Sequence, residues 1–184
     1  VMEALAPKVT IAGQEYSTAE TELDLSGQDL TDADLVNLGQ MENLVSLNLE
    51  GNSQISDLSP LGNLTKLQSL ELPCPSEISD LSPLSGLTEL AALRMVGNWN
   101  NSAPANLVKD FSPLSNLTSL TDLELVVTGL EDLSFASGLT NLRVLRLMGT
   151  VTAEDLTALS GLTNLTELEV HTSGTKTAAG IEGL

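Results

Sequence analysis

The chain has 184 residues and a net charge of −18, from 25 acidic and 7 basic side chains. A surface this acidic repels phosphate backbones and anionic headgroups, which argues against nucleic-acid binding and attachment to membrane surfaces. Hydrophobic residues make up 41% but aromatics only 2%, so the core is aliphatic, and the single cysteine, Cys74, excludes an internal disulfide framework.

No uninterrupted apolar run approaches membrane-spanning length. The opening, Val1 to Lys8, lacks the long apolar stretch of a signal peptide. A first residue other than methionine reads as a trimmed start, which leaves room for a removed signal or anchor upstream.

Residues 1–19 read as a leader and a capping hairpin. Val9-Thr10-Ile11 alternates apolar and polar, Ala12-Gly13-Gln14 turns, and Glu15-Tyr16-Ser17 returns. Tyr16 is expected to pack inside this cap.

From residue 20 to 184 the chain repeats. Leucine, or a close substitute, recurs at the first, fourth and sixth places in Leu44-Leu47-Leu49, Leu67-Leu70-Leu72, Leu90-Leu93-Met95, Leu120-Leu123-Leu125, Leu142-Leu145-Leu147 and Leu165-Leu168-Val170. A weaker first copy holds Leu23 and Leu25. Starts at 20, 44, 67, 90, 120, 142 and 165 give spacings of 24, 23, 23, 30, 22 and 23 residues. A fixed period of this size marks a solenoid, whose open first coil needs the hairpin as a cover.

Within a copy, Ser46-Leu47-Asn48-Leu49 alternates as a half-buried strand does. Gly51-Asn52 turns, and Ile55 or Ile78 returns to the core. Asp-Leu-Ser-Pro-Leu follows at 57–61 and 80–84, with a phenylalanine variant at 110–114. Serine before proline suits a helix start, with the serine as N-cap and the proline in the first helical place. The three-residue spacing of Leu58, Leu61, Leu64 and Leu67 suits a 3-10 or one-turn helix.

This pattern resembles the leucine-rich repeat family, close to the short repeats of bacterial internalins and of eukaryotic phosphatase-regulating members. The resemblance implies an α/β fold: a right-handed solenoid with a parallel β-sheet on its concave face and short 3-10 turns on its convex face. It implies a non-enzymatic module that binds a protein or peptide, with no cofactor, as a monomer. An extracellular or cell-surface setting in a bacterium is expected, with a structural spacer or an intracellular phosphatase-regulator-like scaffold as alternatives. The family's ladder asparagine stands at Asn52 and Asn98 and is replaced by Gln28, Pro75, Thr128, Thr150 and Ser173 elsewhere. Pro73-Cys74-Pro75 is expected to distort its turn. The fourth copy is seven residues too long, in the stretch between Asn98 and Asp110.

No catalytic constellation emerges. His171, the only histidine, lacks plausible triad partners. Gly174-Thr175-Lys176-Thr177 lacks the upstream glycine of a phosphate loop. Asp29, Asp32 and Asp34 miss the spacing of a calcium loop and suit capping instead. The recurrent Asp57, Asp80, Asp110, Asp132 and Asp155 read as turn residues, and Cys74 as an inert small side chain. Asn63, Asn100, Asn116 and Asn164 stand in glycosylation-type triplets, three of which are the repeat's own Asn-Leu-Thr.

The outward places of the strands carry the candidate site. The fifth places read Asp24, Asn48, Glu71, Arg94, Glu124, Arg146 and Glu169. Strands about 4.8 Å apart bring these acids and bases together, so a self-satisfied ladder of ion pairs is expected. The seventh places read Ser26, Glu50, Pro73, Val96, Val126, Met148 and His171, apolar in the middle, with Val127 and Val144 alongside. Trp99, at the start of the insertion, either extends this row or folds inward over its valines. The expected partner-binding residues are Val96, Trp99, Val126 and Met148, flanked by Arg94 and Arg146, for a basic or neutral protein or peptide.

Overall fold

A computed structural model describes residues 6–74, 77–96, 107–152 and 156–172, with the side chains of 171 and 172 excepted. Trp99, Pro75, Asn98, Asn100, Asp155 and the stretch from Ser173 onward lie outside the described residues.

Strands β1 (Lys8–Ile11) and β2 (Gln14–Ser17) form an antiparallel hairpin that pairs Val9 with Tyr16. Its turn needs two left-handed residues, and Ala12 and Gly13 adopt φ of 48° and 81°. Val9, Ile11 and Tyr16 are buried in the same cluster as the leucines of the solenoid. The hairpin thus closes the first coil.

The seven copies supply seven strands: β3 (Glu22–Asp24), β4 (Ser46–Asn48), β5 (Ser69–Glu71), β6 (Ala92–Met95), β7 (Asp122–Leu130), β8 (Val144–Val151) and β9 (Glu167–Thr172). They lie in chain order in one sheet, and every neighbouring pair is parallel. Leu23, Leu47, Leu70, Leu93, Leu123, Leu145 and Leu168 stand in one register across it. Each leucine therefore packs on its own equivalent, which is how an almost all-leucine core reaches a single arrangement.

The return segments differ from expectation in one respect. Five 3-10 turns are described, Ser59–Asn63, Ser82–Gly86, Ser112–Asn116, Ser134–Ala136 and Thr157–Leu159, and the first three have the residue before each serine in the capping place and proline second. The serines do not cap. The preceding aspartates do so: Asp57, Asp80 and Asp110 each accept the N–H of Ser59, Ser82 and Ser112 at 2.8 Å. Aspartate wins because its carboxylate reaches an N–H two residues on, whereas the N–H two residues after each serine, that of Leu61, Leu84 or Leu114, is already given to the carbonyl of Leu58, Leu81 or Phe111.

The first copy has no Ser-Pro, and its return segment is an α-helix, α1 (Asp32–Leu38). The Asp34 carboxylate accepts both the N–H and the hydroxyl of Thr31 at 2.9 Å, which fixes the helix start. It also accepts the Ala12 N–H at 3.2 Å, and Asn37 donates to the Thr10 carbonyl at 2.8 Å. Both bonds fasten the hairpin to the solenoid. Asp32 accepts from Ser56 and Asp57 of the next coil, so Asp32 ties two layers as Asp34 ties the hairpin.

At the end of α1 sits Gly39, buried against the neighbouring coil. A Cβ added there would stand 2.7 Å from the Pro60 carbonyl oxygen and 3.2 Å from its Cβ. Its φ of −60° is open to any residue, so the demand is for space alone. Gly39→Ala is expected to cost roughly 1–3 kcal/mol by overpacking. Gly62, one coil on, meets Pro83 at 3.1 Å, so Gly62→Ala should cost less. Chemical denaturation of both variants checks the order.

The ladder asparagine is where sequence and structure part most instructively. Asn52 is the one polar side chain fully buried among the described residues. Its Oδ1 accepts the N–H of Gln28 and of Leu30 at 3.1 and 3.0 Å, and its Nδ2 donates to the carbonyls of Leu25 and Leu49 at 2.9 and 2.8 Å. The copies with Thr128 and Thr150 in its place solve the same problem by lengthening their strands. β7 and β8 run nine and eight residues where β4 and β5 run three. The added length pairs Val126, Val127 and Thr128 with Met148, Gly149 and Thr150. Buried backbone groups must be satisfied somehow, and β-branched residues favour the extended answer.

Candidate interaction surface

The sheet places the fifth-position residues side by side: Asn48 with Glu71, Glu71 with Arg94, Arg94 with Glu124, Glu124 with Arg146, and Arg146 with Glu169. The expected ladder forms. Arg94 contacts Glu71 at 3.0 Å and Glu124 at 3.4 Å, and Arg146 contacts Glu124 at 2.5 Å. Glu124 is thus held from both sides, with 15% of its side chain exposed.

Beyond Arg146 the ladder steps sideways. Its Nε and Nη2 both donate to Glu167, at 2.8 and 2.6 Å, while Glu169 lies 3.8 Å away. Glu167 stands in the third place of its copy, a row that the alternation along a single position does not reach. Its bond, ahead of the opposing effect of partial burial and the added attraction of Glu124, raises the Arg146 pKa and keeps the guanidinium charged. At the other end, Asp24 and Asn48 turn back on their own strands and accept the N–H of Ser26 and Glu50 at 3.0 and 2.9 Å. The Ser26 bonds hold the Asp24 carboxyl below its ordinary range.

The apolar row is more closed than its outward position implies. Pro73 and Val96 are buried, and Val126 is 1% exposed. Val96 and Val126 are nevertheless separate from the leucine core, as the strand alternation requires. Val126 stands opposite Met148, and outward side chains on strands about 4.8 Å apart shield one another. Met148 is half-buried and is the open member of the row. Val127 is a core residue, fully buried on the opposite face, and Val144 is half-buried between Asp122 and Glu167. The row expected to be exposed is therefore a short apolar floor with one accessible side chain.

Cys74 is half-buried, and burial pushes its thiol pKa up, so it stays protonated and weakly nucleophilic at neutral pH. Among the described residues no group of three potential metal ligands converges, and no helix is long and apolar enough to cross a membrane. A recurrent tie between coils also escaped the sequence reading. Asn43, Asn141 and Asn164 donate to the carbonyls of Thr18, Thr118 and Thr140 in the preceding coil at 3.0, 2.9 and 2.8 Å. The recurrence of asparagine before leucine was the signal available for it.

Comparison with known proteins places this geometry. No protein-family model matches the chain, and no curated protein matches it. Internalin C2 from Listeria monocytogenes is similar in structure, with a TM-score of 0.58 at 24% identity over 89% of this chain and 79% of that one. The fold is that of a leucine-rich repeat solenoid. An internalin (inlF) of the same species aligns at 25% identity over 88% of this chain and 66% of that one, with a TM-score of 0.38. In the leucine-rich repeat frame, the ion-pair ladder and the Met148 row lie on the concave face of the sheet, and the 3-10 turns lie on the convex face.

Proposed function

We propose that this leucine-rich repeat domain is a non-enzymatic module that binds a protein or peptide on its concave face, and that it belongs to a bacterial cell-surface or secreted protein. The observation that carries this reading is the ladder. Five charged side chains, Glu71, Arg94, Glu124, Arg146 and Glu167, are held in fixed mutual contact on a rigid sheet. Exposed charges fixed in advance lose little freedom on binding, which favours recognition over loose attraction. Met148 supplies the apolar contact, with Val96 and Val126 as the packed ground beneath it and Trp99 assigned to its edge. Acids outnumber bases on this face as they do in the chain, so the partner presents basic or neutral groups. The acidic surface and the single cysteine suit a secreted or surface setting.

The same ladder favours a second reading, a spacer without a partner, because every one of its arginines is already satisfied by carboxylates within the sheet. Selection of a phage-displayed random dodecapeptide library on the immobilised domain separates the two. Enriched peptides of net positive charge, at least tenfold weaker on a folded Met148→Arg variant, are expected. Equal binding by that variant rules out the concave centre, and failure to enrich any sequence supports the spacer.

A further inference from the structure

Against the end of β7, where the fourth and fifth coils turn, the structure holds an open groove of about 680 Å³. Two departures from the repeat shape it. Phe111 stands where the second and third copies have Leu58 and Leu81, and Phe135 stands where they have Pro60 and Pro83. Their rings lie 5.6 Å apart and, with Val108 and Leu130, form an apolar floor of which only the edges reach solvent, none of the four being more than 6% exposed. On the far wall, Thr128 and Gly129 are exposed, and a Cβ added at Gly129 would meet nothing within 4 Å.

The rim is acidic. Asp110, Glu131 and Asp132 face one base, Lys109. Two of these carboxylates are fixed in place, since Asp110 accepts the Ser112 N–H at 2.8 Å and Asp132 accepts the Ser134 N–H at 2.7 Å. The serine bonds also hold both carboxyls below their ordinary value of 3.8, so they remain ionised.

We propose that this groove is a second docking surface, and that it takes a segment of a partner protein that carries a lysine or arginine beside an aliphatic residue. The cationic head lies among three carboxylates, which attract it. The aliphatic neighbour covers the ring edges and Leu130. An anionic or purely polar segment matches neither the rim nor the floor.

The test uses the whole 184-residue chain and three labelled hexapeptides, alternating lysine–leucine, lysine–alanine and glutamate–leucine, at about 0.15 M salt, where long-range attraction is screened. Fluorescence anisotropy is expected to show the lysine–leucine peptide binding at least tenfold tighter than either control. Amide shifts in NMR should map it to Asp110–Phe111 and Thr128–Phe135. Glu131→Lys, on the exposed rim and away from the core, should weaken it at least fivefold. Equal binding of the lysine–alanine peptide, shifts confined to the concave face around Arg94, Arg146 and Met148, or an unchanged affinity in Glu131→Lys overturns the proposal.

Discussion

Replacing Asn52 with alanine is expected to lower the unfolding free energy by roughly 3–5 kcal/mol, as read by urea or thermal denaturation. The side chain is fully buried and serves four backbone groups in two coils. Its loss leaves the Leu30 N–H and the Leu25 carbonyl without their bonds, among leucines that exclude water. The Leu49 carbonyl keeps a long bond from the Asn52 N–H at 3.4 Å, and Gln28 is exposed and can turn to solvent. Each orphaned buried group costs about 1–3 kcal/mol. Asn52→Thr is expected to be no better by more than about 1 kcal/mol, although threonine occupies the equivalent place in two later copies. Those copies satisfy their backbone through the long pairing of β7 with β8, which a threonine beside the three-residue β4 does not create. A threonine variant as stable as the parent would show that the ladder is dispensable.

Leu70→Ala is expected to cost roughly 2–5 kcal/mol through the cavity it opens. Leu70 is fully buried in β5, in register with Leu47 on one side and Leu93 on the other. Stacked layers give it neighbours above and below that cannot close the gap without losing contacts of their own. Ser69→Ala, on the same strand but facing outward, should change stability by no more than about 0.5 kcal/mol. Equal effects at the two positions would mean that the inward register is wrong.

The fold was legible because the solenoid writes its geometry into a period. The leucine spacing named all seven strands and their inward faces, and the Ser-Pro signal named three of the five 3-10 turns among the described residues. The fifth-place residues predicted that Arg94 and Arg146 sit between glutamates, because parallel strands in register translate a position in the repeat into a neighbour in space. The candidate site was less legible. Alternation correctly gave Val96 and Val126 an outward direction but not their exposure, which depends on side chains from other strands. It also missed Glu167 as the chief partner of Arg146, since a long flexible side chain reaches across rows.

What the sequence determined by itself was thus the repeating part: the strand order, the leucine core and the side of the sheet on which each charge stands, all consequences of local periodicity. Only the tertiary structure decided how each departure from the repeat is resolved. The same missing asparagine leads to longer strands at Thr128 and Thr150, and two phenylalanines in place of leucine and proline floor a groove between coils. Such outcomes depend on which backbone groups and volumes the next coil leaves unsatisfied, and that is a property of neighbours about 23 residues away rather than of the residue itself.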